Sequence, residues 1–321
     1  MKLQKFYKAS IITIIFLYIL ILVGGFVRIT ESGDDCPDWP KCYGSWIPPF
    51  SIEDIPNGFI EGGENKEDLQ KKVYGSWIEY FNRMVGVILG FSMLFTFFKS
   101  ILLIKTNKSL FVGSSISLLL IIIAGWFGGQ IADNIDGINI IYQHSVSIHL
   151  YIAILSVISI VYTTSKSFLL MNPNTESKSN YSNPSKYLLY AILALNLFLV
   201  LSGSFIRTFL DSMPHGISYS IRMEQYVITT GFIKFLHPIL GFSMIGLCGI
   251  LWNHIMNISK ASKAVRAFIK ILLILIGMQI LIGEGLRFHM IHESFRLYHL
   301  WLSTVILGVA IVSIQRIRIK R

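Results

Sequence analysis

Residues 78–93, IEYFNRMVGVILGFSM, can be laid over residues 232–244, FIKFLHPILGFSM, with Asn82 on His237 and Gly86 on Gly241. Both copies keep an apolar or aromatic approach, a polar residue, a glycine and a long apolar run. The chain therefore contains an internal repeat, and each copy reads as the entrance to a membrane helix with polar groups in its first turn. On a helix, Glu79, Asn82, Arg83 and Gly86 fall at i, i+3, i+4 and i+7, so one face carries a carboxylate, an amide, a guanidinium and a gap in the side-chain wall. Lys234, His237 and Gly241 repeat that spacing. Ionisable groups at a membrane helix end that face a bundle interior point to function. The competing reading, strongest for Arg83 and Lys234, is snorkelling to the water interface.

Composition agrees with a membrane setting. The 321 residues are 53% hydrophobic and only 14% charged, too apolar for a soluble domain of this length. Eight spans of roughly 20 residues, the length a bilayer needs, fall at 10–27, 80–98, 109–131, 141–165, 187–206, 235–257, 267–286 and 297–314. The apolar runs are too long for barrel strands and do not alternate, so the expected fold is an all-α polytopic membrane protein. Basic residues cluster before the first span, in alternate loops and at the C-terminus, while the long loop 29–76 is acidic. The positive-inside rule then puts both termini in the cytoplasm and loop 29–76 outside. The net charge of +10 is accounted for by topology, with no nucleic-acid partner required.

The repeat extends beyond one helix. GGFVR at 24–28 returns as SGSFIR at 202–207, with Arg28 on Arg207. The first span is for this reason, and for its length, read as a true span and not a cleaved signal. Two halves follow, 1–170 and 187–321, joined by the polar linker 171–186, MNPNTESKSNYSNPSK. An even number of spans keeps both halves in one orientation, so two four-helix bundles related by a pseudo-twofold along the membrane normal are expected.

Three of the eight histidines sit at span ends in apolar context: His149 in SIHLYIAIL, His237 in FLHPILGF and His299 in LYHLWLSTV. His149 and His299 match as repeat partners, so His237 and His299 can face each other at one membrane depth. Opposed histidines on two helices are what bis-imidazole haem ligation needs, and glycines such as Gly241 let a porphyrin lie against the backbone. The alternative for each alone is a hydrogen-bonded structural histidine. His144 is a reserve ligand, and His215, His254, His289 and His292 read as loop or interface residues. In the first half Asn82 stands where the repeat predicts a histidine opposite His149, with Glu79 one turn before it. An iron there would have one strong protein ligand and an acid nearby, an arrangement suited to chemistry where a closed bis-histidine site suits electron transfer.

Cys36 and Cys42 bracket PDWPK just after the first span. On an oxidising face a disulfide closing this short loop is the favoured reading, with a metal pair or a redox-active dithiol as competitors. Cys248, inside the sixth span, reads as a small buried hydrophobe.

GGFVRITESGDDCPDWPKCYGSWIPP, WIEYFNRMVG, IHLYIAIL, FLHPILGF and YHLWLS together resemble the haem A synthase family, over nearly the whole chain. The resemblance implies a membrane oxidoreductase of haem A biosynthesis and cytochrome oxidase assembly. It would convert haem O to haem A by hydroxylating one ring methyl successively to a geminal diol that loses water to the formyl group. It implies a substrate haem O site in the N-terminal half with His149 as axial ligand, a haem b in the C-terminal half held by His237 and His299, Glu79 as the functional carboxylate, and Cys36 and Cys42 as the loop pair. It also implies a partner that makes haem O in the same membrane and an electron donor, in a bacterial cytoplasmic membrane, with self-association left open. The chain departs from the family at Asn82, where many members carry histidine in an E-x-x-H pattern. Arg28 and Arg207 are candidates for the haem propionates through charge-assisted hydrogen bonds, against plain interfacial anchoring, and Asn82 and Arg83 complete the candidate pocket. Two other classes stay open on residues alone: a di-haem, cytochrome-b-like electron carrier, which would want two complete histidine pairs, and a repeat-built transporter, which would want polar residues at mid-span.

Overall fold

The computed structural model describes residues 1–60, 63–132, 140–173, 183–211, 231–258, 261–288, 292 and 294–317; of these, the side chains at 131, 132, 140–145, 183, 208–211 and 234 are not described. His215, His289, most of the linker 171–186 and the side chains of His144 and Lys234 thus lie outside the described residues. Among the described residues eight helices are long and apolar enough to cross a membrane. They are α1 Lys2–Ile29, α2 Lys66–Ile101, α3 Lys108–Ala132, α4 Ile140–Met171, α5 Asn183–Asp211, α6 Ile233–Met256, α7 Lys263–Arg287 and α8 Phe295–Arg316. Each matches one expected span, the sixth to within one residue at its end. The chain is an integral membrane protein, all-helical in its described residues apart from an isolated bridge between Cys42 and Ser45.

α2 is longer than its apolar stretch predicts. Its 36 residues make a rod of about 54 Å, well beyond the roughly 30 Å of a bilayer core. The reason is a capping box: Asn65 Oδ1 accepts from the N–H groups of Glu67 (2.8 Å) and Asp68 (3.1 Å), and Asp68 Oδ2 accepts from Asn65 N–H (3.2 Å). Helix therefore starts over the polar stretch KEDLQKK, and Glu79 sits several turns inside α2 where the sequence placed it near a helix entrance.

The chain packs as two compact units, Met1–Ile160 and Val161–Arg321. In the second, Met244, Cys248, Leu251 and Ile255 of α6 recur at i, i+4, i+7 and i+11, as do Val265, Ile269, Leu272 and Ile276 of α7; all are at most 2% exposed. These stripes meet Leu189 and Ile192 of α5 and Leu302, Ile306 and Ala310 of α8 in one core. Cys248 is the small buried hydrophobe expected. Lipid tails are as apolar as these side chains, so helix association rests on close packing and interhelical hydrogen bonds. One such bond runs from Asn196 Nδ2 to the Ser303 carbonyl, 3.0 Å, joining α5 and α8.

The first unit relies more on hydroxyls. Thr13 of α1, fully buried, lies 2.9 Å from both Ser92 Oγ and Thr96 Oγ1 of α2. Ser117 of α3 and Ser159 of α4 meet at 2.8 Å beside the Gly113 carbonyl, one hydroxyl donating to the other and the second to the carbonyl. Interhelical bonds of this kind contribute about 0.6 to 2 kcal/mol each. Thr13→Val, which keeps the shape and deletes the hydroxyl, is expected to cost stability in that range, read as a lowered thermal midpoint of the detergent-solubilised protein. An unchanged midpoint would show that the α1–α2 cluster contributes nothing.

Candidate functional site

In the second unit, α6 and α8 bring His237 and His299 together with ring centroids 6.4 Å apart and ring planes at 50°. His237 Nδ1 lies 2.9 Å from Ser202 Oγ of α5. That hydroxyl donates its only proton to the Leu199 carbonyl, 3.1 Å away, so it must accept from the histidine. Nδ1 therefore carries the ring proton and Nε2 holds the lone pair. His299 has its Nδ1 buried against the backbone of Gln279 in α7, an approach that does not close full hydrogen-bond geometry.

Both rings rest on glycines. A Cβ at Gly203 of α5 would stand 3.2 Å from His237 Cε1, and one at Gly283 of α7 would stand 2.9 Å from His299 Cε1. The second distance is one that real side chains do not adopt, so the seat of His299 depends on that glycine.

The first unit repeats the plan. His149 of α4 donates from Nδ1 to the Ala124 carbonyl of α3, 2.9 Å, and a Cβ at Gly128 would lie 3.4 Å from its Cε1. A carbonyl can only accept, so this ring too has a bare Nε2. Ala124, Gly128 and His149 correspond to Gln279, Gly283 and His299. In the other arm of the repeat, a Cβ at Gly24 of α1 would stand 3.6 Å from Asn82 Oδ1 of α2, as Gly203 stands to His237. Asn82 Oδ1 is buried without a hydrogen-bond partner.

A cap sits on this unit. Cys36 and Cys42 form a disulfide, which removes the metal-pair reading, and the loop between them is pinned to α2. Glu79, 4% exposed, accepts at Oε2 from Cys36 N–H, 2.8 Å, and at Oε1 from Arg83 Nε, 3.0 Å, with Arg83 Nη2 closing an ion pair on the same oxygen. The guanidinium then turns its remaining donors to the carbonyls of Asp38 (2.8 Å), Lys41 (2.6 Å) and Cys36 (3.1 Å). Trp39, at the tip, lies where a Cβ on Gly129 of α3 would meet its Cε2 at 3.3 Å. The Asp35 carboxylate fills the notch at Gly75 of α2 so closely that any side chain there would collide with it. Among the described residues no three His, Cys, Asp or Glu side chains gather as a metal cluster. Arg28 and Arg207 are partly buried, and His254 and His292 are exposed.

A family model described as cytochrome oxidase assembly protein, COX15-CtaA, matches residues 7–311. The chain belongs to the COX15-CtaA family. It is similar to the heme A synthase of Nitrosospira multiformis, 23% identical over 294 residues that cover 83% of this chain and 80% of that protein. It is also similar to the heme A synthase of Shewanella oneidensis, 29% identical over 87 residues, 27% of this chain and 25% of that one. With the heme A synthase of Exiguobacterium sibiricum it shares 24% identity over 195 residues, 59% of this chain and 54% of that one.

Some residues of this family member's site were not singled out in the sequence. Ser202 orients His237, and its signal was its place beside the repeated Gly203. Gly128 and Gly283 seat the histidines, and aligning the third helices of the two halves would have found them. The contacts of Asp35 and Trp39 had no local signal.

Asp35 is held above its ordinary 3.8, at about 7, by burial first and then by the neighbouring charges of Asp34 and Glu79, partly offset by Lys72. The folded loop therefore binds this proton more tightly than the unfolded chain, and its stability falls as pH rises from about 4 through about 7. Limited proteolysis within loop 30–65 should accelerate between pH 5.5 and pH 8.5, and Asp35→Asn should flatten that rise. A loop better protected at the higher pH would contradict the assignment.

Proposed function

We propose that the chain is a haem A synthase, a membrane oxidoreductase that converts haem O to haem A by oxidising one ring methyl through successive hydroxylations to a geminal diol, which loses water to leave the formyl group. The observation that carries this reading is the facing pair His237 and His299 inside a unit of a family whose relatives bear that name. Metal–imidazole bonds of about 2 Å put the centroids of two imidazoles on opposite faces of one iron roughly 6 Å apart. The 6.4 Å spacing fits, as do the bare Nε2 of His237 and the glycine seats. A haem b held here would take and release single electrons.

In the first unit His149 is the ligand for the iron of the substrate haem O, with Asn82 opposite it and Glu79 and Arg83 above. The engagement of both Glu79 oxygens supports a positioning role: the carboxylate fixes Arg83 and the disulfide loop over the pocket. Arg28 and Arg207, at repeat-related positions, take the propionates by charge-assisted hydrogen bonds. With both termini in the cytoplasm, as the basic loops favour, the haem sites and the disulfide loop face outward. Haem O arrives from an enzyme of the same membrane, and electrons from a donor protein.

Pigment extracted from purified protein tests the reaction: haem A or hydroxylated haem O is expected, and haem b alone would point instead to an electron carrier. Glu79→Ala should leave haem b bound and stop the formyl product. Glu79→Gln, which still accepts from Cys36 N–H, should recover part of the activity if the residue positions the loop, and none if it must carry the proton.

Gly283→Ala should displace His299 and abolish the low-spin haem b signal, whereas Gly128→Ala, with an ordinary contact to His149, should keep its substrate haem. Equal tolerance at both glycines would contradict the seating of His299.

A further inference from the structure

The two units differ at one linked pair of positions. With Gly24 on Gly203, Val23 falls on Ser202 and Asn82 on His237. In the second unit the serine hydroxyl accepts from His237 Nδ1 at 2.9 Å and thereby fixes which nitrogen is bare. In the first unit both members are changed together: the imidazole is a carboxamide, and the hydroxyl that would orient an imidazole is an isopropyl group. The first unit thus lacks both the imidazole and the hydroxyl that would orient it. What remains there is Asn82 Oδ1, buried and without a hydrogen-bond partner. A buried acceptor left unpaired is costly and calls for an explanation.

Resting on the reading of the first unit as the haem O site, we infer that Asn82 keeps one axial face of the substrate's iron open and is the hydrogen-bond acceptor for a small protic ligand, such as water, admitted to that face. The neutral carboxamide is a poor iron ligand and shorter than imidazole, so it leaves room between its oxygen and the metal. The repeat sets it opposite His149 as His237 stands opposite His299. Ligation from one side and a hydrogen-bond acceptor on the other make this an entry site for a small molecule, while the second unit stays closed by two imidazoles.

The test uses full-length protein loaded anaerobically with haem O, read by electron paramagnetic resonance and by carbon monoxide binding after reduction. The wild type is expected to show a high-spin ferric signal that His149→Ala removes, a separate low-spin signal that His237→Ala removes, and carbon monoxide binding at the first site. Val23→Ser with Asn82→His should convert the high-spin signal to low-spin and abolish carbon monoxide binding, the persisting low-spin signal of the second unit reporting an intact fold. Asn82→His alone, lacking the partner for Nδ1, should ligate about 10- to 100-fold more weakly than the double variant. Asn82→Ala should still bind carbon monoxide but shift its stretching frequency, because a polar group leaves the ligand's side. A wild type that is entirely low-spin at both sites, carbon monoxide binding undiminished in the double variant, or an unshifted frequency in Asn82→Ala would each overturn the inference. Absence of any signal dependent on His149 would instead overturn the haem O site on which it rests.

Discussion

A histidine buried between membrane helices has two ring nitrogens to satisfy, and the rest of this structure is arranged around that demand. For His237 and His149 one nitrogen is settled inside the protein: Nδ1 donates to a hydroxyl or a helix carbonyl on an adjacent helix. That bond selects the tautomer and aims the other nitrogen into the space between helices. Leaving such a group unpaired would cost about 1 to 3 kcal/mol, and losing an orienting partner weakens a metal site about 10- to 100-fold. The neighbouring helix must come close enough to make the bond, which is why Gly203 and Gly128 stand beside these two rings. Repeat, glycine pattern and histidine placement are three aspects of one requirement.

The same requirement explains the asymmetry. Where position 82 is not histidine, position 23 has no need of a hydroxyl and carries none. The second unit sets two imidazoles face to face, and the first sets one imidazole and a carboxamide in the matching places of the repeat. On the first unit the chain sets the disulfide loop, tied down by a buried carboxylate and guanidinium whose removal from water is repaid only because every guanidinium nitrogen finds an oxygen, the Glu79 carboxylate or one of three loop carbonyls. Such a pair adds little net stability against an apolar replacement. What it fixes is where the loop lies.

Much of the fold could be read from the sequence because membrane spans are long apolar runs and each of the eight became a helix. The facing histidines could be read because the repeat aligns them across α6 and α8. The length of α2 could not: its start is set by a capping box in a polar stretch, and hydropathy is blind to that. The full partners of Glu79 were hidden because Cys36 lies far back in the chain, and only the fold brings its N–H to the carboxylate. The Arg83 pairing was visible as an i, i+4 spacing. Ser202 and the seating glycines escaped because they touch the histidines and would not touch a ligand.

The central claim is that His237 and His299 bind one iron through their Nε2 atoms. A cryo-electron microscopy map of the haem-loaded protein tests it most directly. The account predicts porphyrin density between the two rings, with the iron about 2 Å from each Nε2. A porphyrin bound elsewhere in the second unit, or an iron bonded to only one of the rings, would contradict it.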